Sequence, residues 1–130
     1  MSYAQNDSTE DLEAYFSAMI VSDFDSSIHW YSKTLGFEVV SRVESVERGF
    51  KQSNLKRGDV LIELIQLDKA LNLEDIVPNY NNKMRLIGFF KLGFLVKDFD
   101  KWIDHFTNEK VDFYGGIVTD DITGKRMVII

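Results

Sequence analysis

Few residues in this 130-residue chain have both the chemical type and the setting for catalysis or ligand binding. Glu63 stands out because it lies in the strongly apolar segment "VLIELIQL" (60–67), which predicts a β-strand. Side chains alternate between the two faces of a strand, so Leu61, Glu63 and Ile65 share one face. A carboxylate between apolar neighbours can serve as a general base or a metal ligand, and burial without a partner would push it toward its neutral form.

Other candidate groups are weaker. His29 and His105 lie in predicted helices, where we interpret them as surface or packing residues. The absence of cysteine excludes a disulfide framework, a thiolate-ligated metal site and a cysteine nucleophile. We interpret "RGD" (57–59) as a turn, and the glycines form no phosphate-binding pattern ahead of a helix.

Charge and hydropathy limit the classes of partner and the cellular location that we expect for this protein. The net charge is −6 and the 15 basic residues are scattered, whereas phosphate binding needs clustered Lys and Arg, so we expect no nucleic acid. The opening "MSYAQNDSTEDLEA" lacks the apolar core of a signal peptide, and no apolar run is long enough for a membrane span. The sequence therefore predicts a soluble, cytoplasmic protein.

An internal sequence repeat indicates how the elements around these residues are organised. "MIVSDFDSSIHWY" (19–31) returns as "FLVKDFDKWIDHF" (94–106) at a constant spacing of 75 residues. In each copy a strand-like run leads into a helix, and an Asp at the junction can cap the helix N-terminus. This pattern predicts duplication of a structural half. The identical pairs are Val21/Val96, Asp23/Asp98, Phe24/Phe99, Asp25/Asp100 and Ile28/Ile103.

Each copy belongs to a longer predicted unit. In the first, a helix capped by Asp23 or Asp25 ends at Gly36, among strands at 14–21, 37–45, 48–55 and 60–67. In the second, a helix with Phe99, Ile103 and Phe106 on one face lies among strands at 88–96, 111–118 and 125–130. The predicted organisation of this single α+β domain is a polar tail (1–13), a first βαβββ module (14–67), a connecting segment (68–87) and a second, incomplete βαβββ module (88–130).

The segment "VSDFDSSIHWYSKTLGFEVV" (21–40) resembles the opening signature of the vicinal oxygen chelate superfamily, which includes glyoxalase I, bleomycin-resistance proteins and extradiol dioxygenases. "GFFKLGFLVKDFDKW" (88–102) resembles the start of that family's second half. The resemblance implies tandem βαβββ modules that form a cupped sheet, with the last strand of the second module missing. The signature positions are occupied by Val21, Asp23, Ser27, Trp30, Tyr31, Leu35, Gly36 and Phe37.

The resemblance also implies where a divalent metal would bind, namely at four strand positions inside the cup. Phe16 occupies the first-strand position, Glu63 the fourth-strand position and Lys91 the fifth-strand position, while the last position would be 138, beyond Ile130. Phe has no donor atom and protonated Lys has no lone pair. We therefore expect no cofactor and no complete metal site, since Glu63 is the only matching ligand.

The predicted function is binding of a small organic molecule in an apolar cup by Phe16, Glu63 and Lys91. Glu63 and Lys91 are predicted to form an ion pair. This pair is either purely structural, or Lys91 meets an anionic ligand that Glu63 orients or acts on as a base. One alternative is a glyoxalase-like lyase, isomerase or dioxygenase that uses Glu63 with metal ligands from a partner chain or from beyond Ile130. Another is an interaction protein with a filled cup. The unpaired sheet edge of the second module predicts either a homodimer partner across that edge or a native chain that continues past Ile130, and we expect a homodimer.

Overall fold

The structure is a computed structural model that describes residues 13–80, 86–89 and 91–130. It divides into two compact units between Leu71 and Asn72. Residues 1–12 of the predicted tail, residues 81–85 of the predicted connecting segment and Phe90 of the predicted fifth strand lie outside the described residues. The elements are β1 (Ser17–Ile20), α1 (Phe24–Leu35), β2 (Glu38–Ser45), β3 (Phe50–Arg57), β4 (Val60–Leu67), α2 (Leu73–Ile76), α3 (Phe99–Asn108), β5 (Tyr114–Thr119) and β6 (Arg126–Ile129).

The first unit is a four-stranded sheet with one helix on one face. Its strand order is β1-β4-β3-β2, with β1 parallel to β4 and the other neighbours antiparallel. Alternation along β3 and β4 directs one set of side chains toward α1, and these are almost fully buried. Burial of each large apolar side chain contributes roughly 1.5–3 kcal/mol, so this layer is the main source of the unit's stability. The core comprises Phe24, Leu35, Phe37, Leu55, Ile62 and Leu64.

Both ends of α1 are fixed by the residues that the sequence predicted. The Asp23 carboxylate accepts a hydrogen bond of 2.9 Å from the Ser26 backbone N–H, which lowers the pKa of Asp23. Gly36 ends the helix with a left-handed φ of 68°. The strand β4 adds a contact that the sequence did not reveal, because the Gln66 side chain accepts a 2.7 Å hydrogen bond from the Phe24 N–H.

The second unit repeats part of this arrangement. Its helix α3 has an Asp98 cap on the Lys101 N–H (3.1 Å), and β5 pairs antiparallel with β6. Val118 pairs with Met127 here as Val43 pairs with Gln52 in the first unit, and both partners are displaced by 75 residues. Both pairs of strands also carry a register shift at the same end, so the repeat extends to the backbone pairing.

One prediction about a chain segment needs correction. The described residues of 88–96 form no strand, although the sequence predicts one there. In the first unit the corresponding strand β1 is held by parallel pairing to β4, so a strand at this place depends on a second segment as well as on its own apolar pattern. The predicted connecting segment also contains a helical turn, α2, where the Asp75 carboxylate accepts a 3.3 Å hydrogen bond from the Asn72 N–H.

Candidate functional site

The candidate site lies on the face of the four-stranded sheet that points away from α1, which we call the distal face. Strand alternation places Glu63 on this face, because its neighbours Ile62 and Leu64 are buried on the α1 side. The pairing register then sets a row across the sheet. Glu63 lies between Ala18 on β1 and Asn54 on β3, and Asn54 lies beside Ser41 on β2.

Only some of the polar atoms in this row form hydrogen bonds within the unit. The Asn54 Nδ2 donates a 2.9 Å hydrogen bond to the Ser41 Oγ. Within its own unit, the Glu63 carboxylate forms no hydrogen bond or ion pair with a described residue. Gln52 lies two residues before Asn54 on β3, so its side chain points to the same face, where it is half-buried.

Glu63 is half-buried on this face. The reason is geometric: α1 covers only the opposite face of the sheet, and Ala18 beside Glu63 has the shortest side chain that a strand neighbour with a Cβ can offer. The carboxylate is therefore accessible from the distal side of its own unit.

Apolar side chains flank the polar row. Leu61 and Ile65 lie on either side of Glu63 along β4 and are half-buried. On β1, Ile20 is 61% exposed, and Phe16 immediately before the strand is 52% exposed. A carboxylate and two amides set in an apolar surface are the usual ingredients of a small-molecule site.

The three residues predicted for ligand binding fall into both units. Phe16 and Glu63 belong to the first unit and, by strand alternation, to the same face. Lys91 belongs to the second unit, where it is exposed and precedes α3. The Glu63–Lys91 ion pair therefore stays a prediction.

The residues of the distal face do not fit a divalent metal of the kind that the resemblance implies. Phe16 offers no donor atom, and the cross-strand neighbours of Glu63 are Ala18 and Asn54. Among the residues that the structure describes, no group of three or more His, Asp or Glu side chains is arranged to hold a metal ion. One carboxylate and a neutral amide give too little charge for tight Mg²⁺, Mn²⁺ or Zn²⁺ binding.

The remaining candidates for chemistry are held in the helices. His29 is exposed on α1, and His105 packs edge-on against Trp102 at a centroid distance of 5.7 Å. Tyr31 donates a hydrogen bond to the Met19 Sδ (3.4 Å), and its burial raises the pKa of its hydroxyl. These positions agree with the interpretation of both histidines as surface or packing residues.

Sequence reasoning missed the amides of the site. Gln52 and Asn54 were not singled out, because "FKQSNLKR" (50–57) is a weak strand pattern with few apolar residues. Its period of two was the available signal, since it places Gln52 and Asn54 on one face. Only the pairing of β3 with β4 shows that this face is the one that carries Glu63.

Residues 14–129 match the family model of the Glyoxalase/Bleomycin resistance protein/Dioxygenase superfamily. The chain belongs to this superfamily. The tandem α+β fold implied by the resemblance is confirmed by this match and by solved structures of superfamily members.

Individual relatives of this superfamily chain differ in what is known of them. The uncharacterized protein YwkD of Bacillus subtilis (strain 168) is 29% identical over 110 residues, which cover 84% of this chain and 80% of the relative. The crystal structure of a glyoxalase family protein from Enterococcus faecalis has a TM-score of 0.71 at 24% identity and covers 89% of this chain and 86% of its own. The fosfomycin resistance protein FosX from Listeria monocytogenes, solved with Mn(II) and a sulfate ion, has a TM-score of 0.55 at 9% identity, with 92% of both chains covered.

At sequence identities of 24% and 9%, these structural similarities show a shared fold and nothing further. In the described part of this chain, no helix combines the length and apolar character needed to cross a membrane.

Proposed function

We propose that this protein binds a small organic molecule on the distal face of its four-stranded sheet, and that it does so without a divalent metal. The observation that carries the proposal is the combination of one accessible carboxylate, Glu63, with neighbouring amides and an apolar surround. Polar groups of this kind orient a ligand, and the surrounding apolar area supplies most of its affinity.

The donor set of the distal face supports binding without a metal. The superfamily position on the first strand holds Phe16, whose ring contributes apolar contact area instead of a ligand atom. A protein with this face can hold and sequester a molecule without chemistry, as resistance-type members of the superfamily would. Lys91 would favour an anionic group on the ligand if the predicted pairing with Glu63 brings it near.

The test combines metal analysis with a ligand screen. Purified protein is dialysed without chelator and its metal content is measured by elemental analysis, and we expect less than stoichiometric metal. A fragment library is then screened by protein-observed NMR, and we expect hits that perturb the amide signals of β3 and β4. Glu63→Gln should weaken these hits, whereas the matched control Glu47→Gln, which removes the same charge from an exposed turn outside the distal face, should not.

Two results would contradict this function. Stoichiometric nickel, zinc, iron or manganese would instead support the alternative of a lyase, isomerase or dioxygenase that completes its ligand set from a partner chain or from further sequence. A screen with no hit on the distal face would support the alternative of a protein that acts only through its surface.

A further inference from the structure

We propose that the group of the ligand that meets Glu63 is a cationic N–H donor, of the amidine, guanidine or primary amine class. This inference rests on the proposed function and names the ligand class of the same site. It is carried by two hydrogen-bond acceptors that lie side by side on the distal face and to which no described residue of their own unit donates.

The first acceptor is the Glu63 carboxylate. It forms no hydrogen bond or ion pair with a described residue of its unit, and its neighbours along β4 on the same face are Leu61 and Ile65. A half-buried carboxylate in such surroundings has lost part of its water and gains most from a donor that is itself charged. Positive charge on the ligand would therefore be favoured at this point.

The second acceptor is the Asn54 Oδ1. Its amide partner atom, the Nδ2, is committed to the Ser41 Oγ at 2.9 Å, which turns the Oδ1 away from β2. Asn54 lies directly beside Glu63 in the β3–β4 register, and cross-strand side chains on one face are about 4.5–5.5 Å apart at their Cβ atoms. Two acceptors at this spacing match a head group with two or more N–H donors, whereas a carboxylate ligand would meet only repulsion from them.

The shape of the face agrees with a head group that enters beside β1. Ala18 is the neighbour of Glu63 on that strand, so space is left there, while Phe16 and Ile20 offer apolar contact above and below it. The ligand therefore needs an apolar body next to its cationic head. An ion pair between Glu63 and Lys91 would occupy this carboxylate, so that predicted pair and the assignment of a cationic ligand group are alternatives.

Three isosteric probes test the charge of the head group: benzamidine (cationic), benzamide (neutral) and benzoate (anionic). Each is titrated into the whole chain, labelled with nitrogen-15, in a buffer that contains EDTA so that metal binding makes no contribution. The readout is the pair of side-chain NH₂ signals of Asn54 and Gln52. We expect benzamidine to shift both signals and to bind on the order of tenfold more tightly than benzamide, and we expect no shift with benzoate.

Substitution then assigns the contact to the carboxylate. Glu63→Gln should weaken benzamidine binding by about tenfold or more, whereas Glu47→Gln, with the same loss of charge in an exposed turn, should leave it within about twofold. If Glu63→Gln does not fold, the comparison of the three probes on the unaltered protein still decides the question.

Benzoate shifting these signals more strongly than benzamidine would overturn the cationic class while leaving small-molecule binding on the distal face intact. Benzamidine binding that is insensitive to Glu63→Gln would also overturn it, as would the absence of a shift with benzamidine. Failure of the proposed function itself is recognised separately, by a fragment screen in which no compound of any charge binds this face.

Discussion

The two strand-to-helix corners share a sequence but differ in how firmly they are held. In the first unit, Phe24 begins α1 and is only 1% exposed, with the Arg42 guanidinium 4.9 Å and the Lys51 ammonium 6.0 Å from its ring centroid. In the second unit, the corresponding Phe99 begins α3 and is half-buried, with the Arg126 guanidinium 4.7 Å from its ring. The same residue is thus a core anchor in one unit and a partly covered contact in the other.

The two corners also differ in which strand supplies the cation that pairs with the helix aspartate. Arg126 follows Lys51 by 75 residues, and both lie over the ring that begins the helix. Arg126 also pairs with Asp100 at 2.9 Å, whereas in the first unit the equivalent Asp25 pairs with Arg42 from the neighbouring strand at 2.7 Å. In the second unit Arg126 therefore makes both contacts, over the phenylalanine ring and with the aspartate. In the first unit Lys51 and Arg42 both lie near the ring, and Arg42 forms the ion pair.

The difference between the corners follows from β4. This strand places Ile62 and Leu64 in the buried layer beneath α1, and its Gln66 accepts the hydrogen bond from the Phe24 N–H. In the described residues of the second unit the sheet comprises β5 and β6, which correspond to β2 and β3. A local sequence thus sets the cap and the cation contact, but the depth of burial depends on a strand that is distant in sequence.

The largest expected effect is on the two phenylalanines. Phe24→Ala should lower the free energy of unfolding by about 3–5 kcal/mol, because it leaves a cavity in a closed core. Phe99→Ala should cost roughly 1–2 kcal/mol, since less apolar area is lost. Urea unfolding followed by tryptophan fluorescence measures both, in Trp102→Phe for the first unit and in Trp30→Phe for the second, because each unit holds one tryptophan.

Equal losses for the two phenylalanine substitutions would contradict the assignment of burial to β4. The two Trp→Phe backgrounds serve as the controls, and each must unfold with an unchanged denaturant slope for the comparison to hold.

Substitutions at the two helix C-termini should change the stability in opposite directions. Gly36 has φ 68° and lies so close to Arg57 that a Cβ would sit 2.8 Å from the Nη1, the atom that donates to the Leu35 carbonyl. Gly36→Ala should therefore cost about 1–2 kcal/mol. Lys110 has a left-handed φ of 56° without being glycine, so Lys110→Gly should stabilise the second unit by roughly 0.5–1 kcal/mol.

Differential scanning calorimetry measures both changes as shifts in the melting temperature. Destabilisation by Lys110→Gly would show that the αL strain at this position is relieved by other means in the native state.

Gln66→Met should cost about 1 kcal/mol, because it removes the acceptor for the Phe24 N–H and keeps the side-chain length. The matched control is Gln52→Met on the distal face of the same sheet, where no described residue of the unit is bonded to the side chain and we expect a change within about 0.5 kcal/mol. Urea unfolding in the Trp102→Phe background gives both values. Similar costs for the two variants would mean that the hydrogen bond from Phe24 makes no specific contribution.

The smallest expected effect concerns acid. Hydrogen bonding from Arg126 lowers the pKa of Asp100, whereas the lowered pKa of Asp23 comes first from a backbone N–H. Each carboxylate therefore stabilises the fold above the ordinary Asp pKa of about 3.9, and this stabilisation is lost as the pH falls through the lowered pKa of the folded state. In Arg126→Met the pKa of Asp100 should rise toward its ordinary value while that of Asp23 stays low.

Carbon-13 NMR titration of the side-chain carboxyl groups follows each aspartate separately in this variant. An unchanged pKa of Asp100 would show that groups other than the arginine lower it.

Much of the fold could be predicted because its signals are local. Asp23 and Asp98 cap their helices, Gly36 ends α1, and β4 has the predicted bounds of 60–67. Prediction failed where a segment depends on a distant partner. The strand predicted at 88–96 is not formed in its described residues, because β-pairing is a property of two segments and apolar alternation describes only one.

The candidate site divides in the same way. Glu63 could be found from sequence, because a charge inside an apolar strand is conspicuous. Asn54 could not, because it is an ordinary polar residue until the β3–β4 register places it beside Glu63.

By itself, the sequence determined the superfamily, the duplicated corner and the residue types that fill the superfamily's ligand positions, since these depend on identity and spacing alone. Only the tertiary structure decided which polar residues stand next to Glu63, which phenylalanine is anchored and which strand has a partner. The physical reason is that side-chain alternation and helix caps are set within a few residues, whereas register and burial are set by segments that meet only in the folded chain.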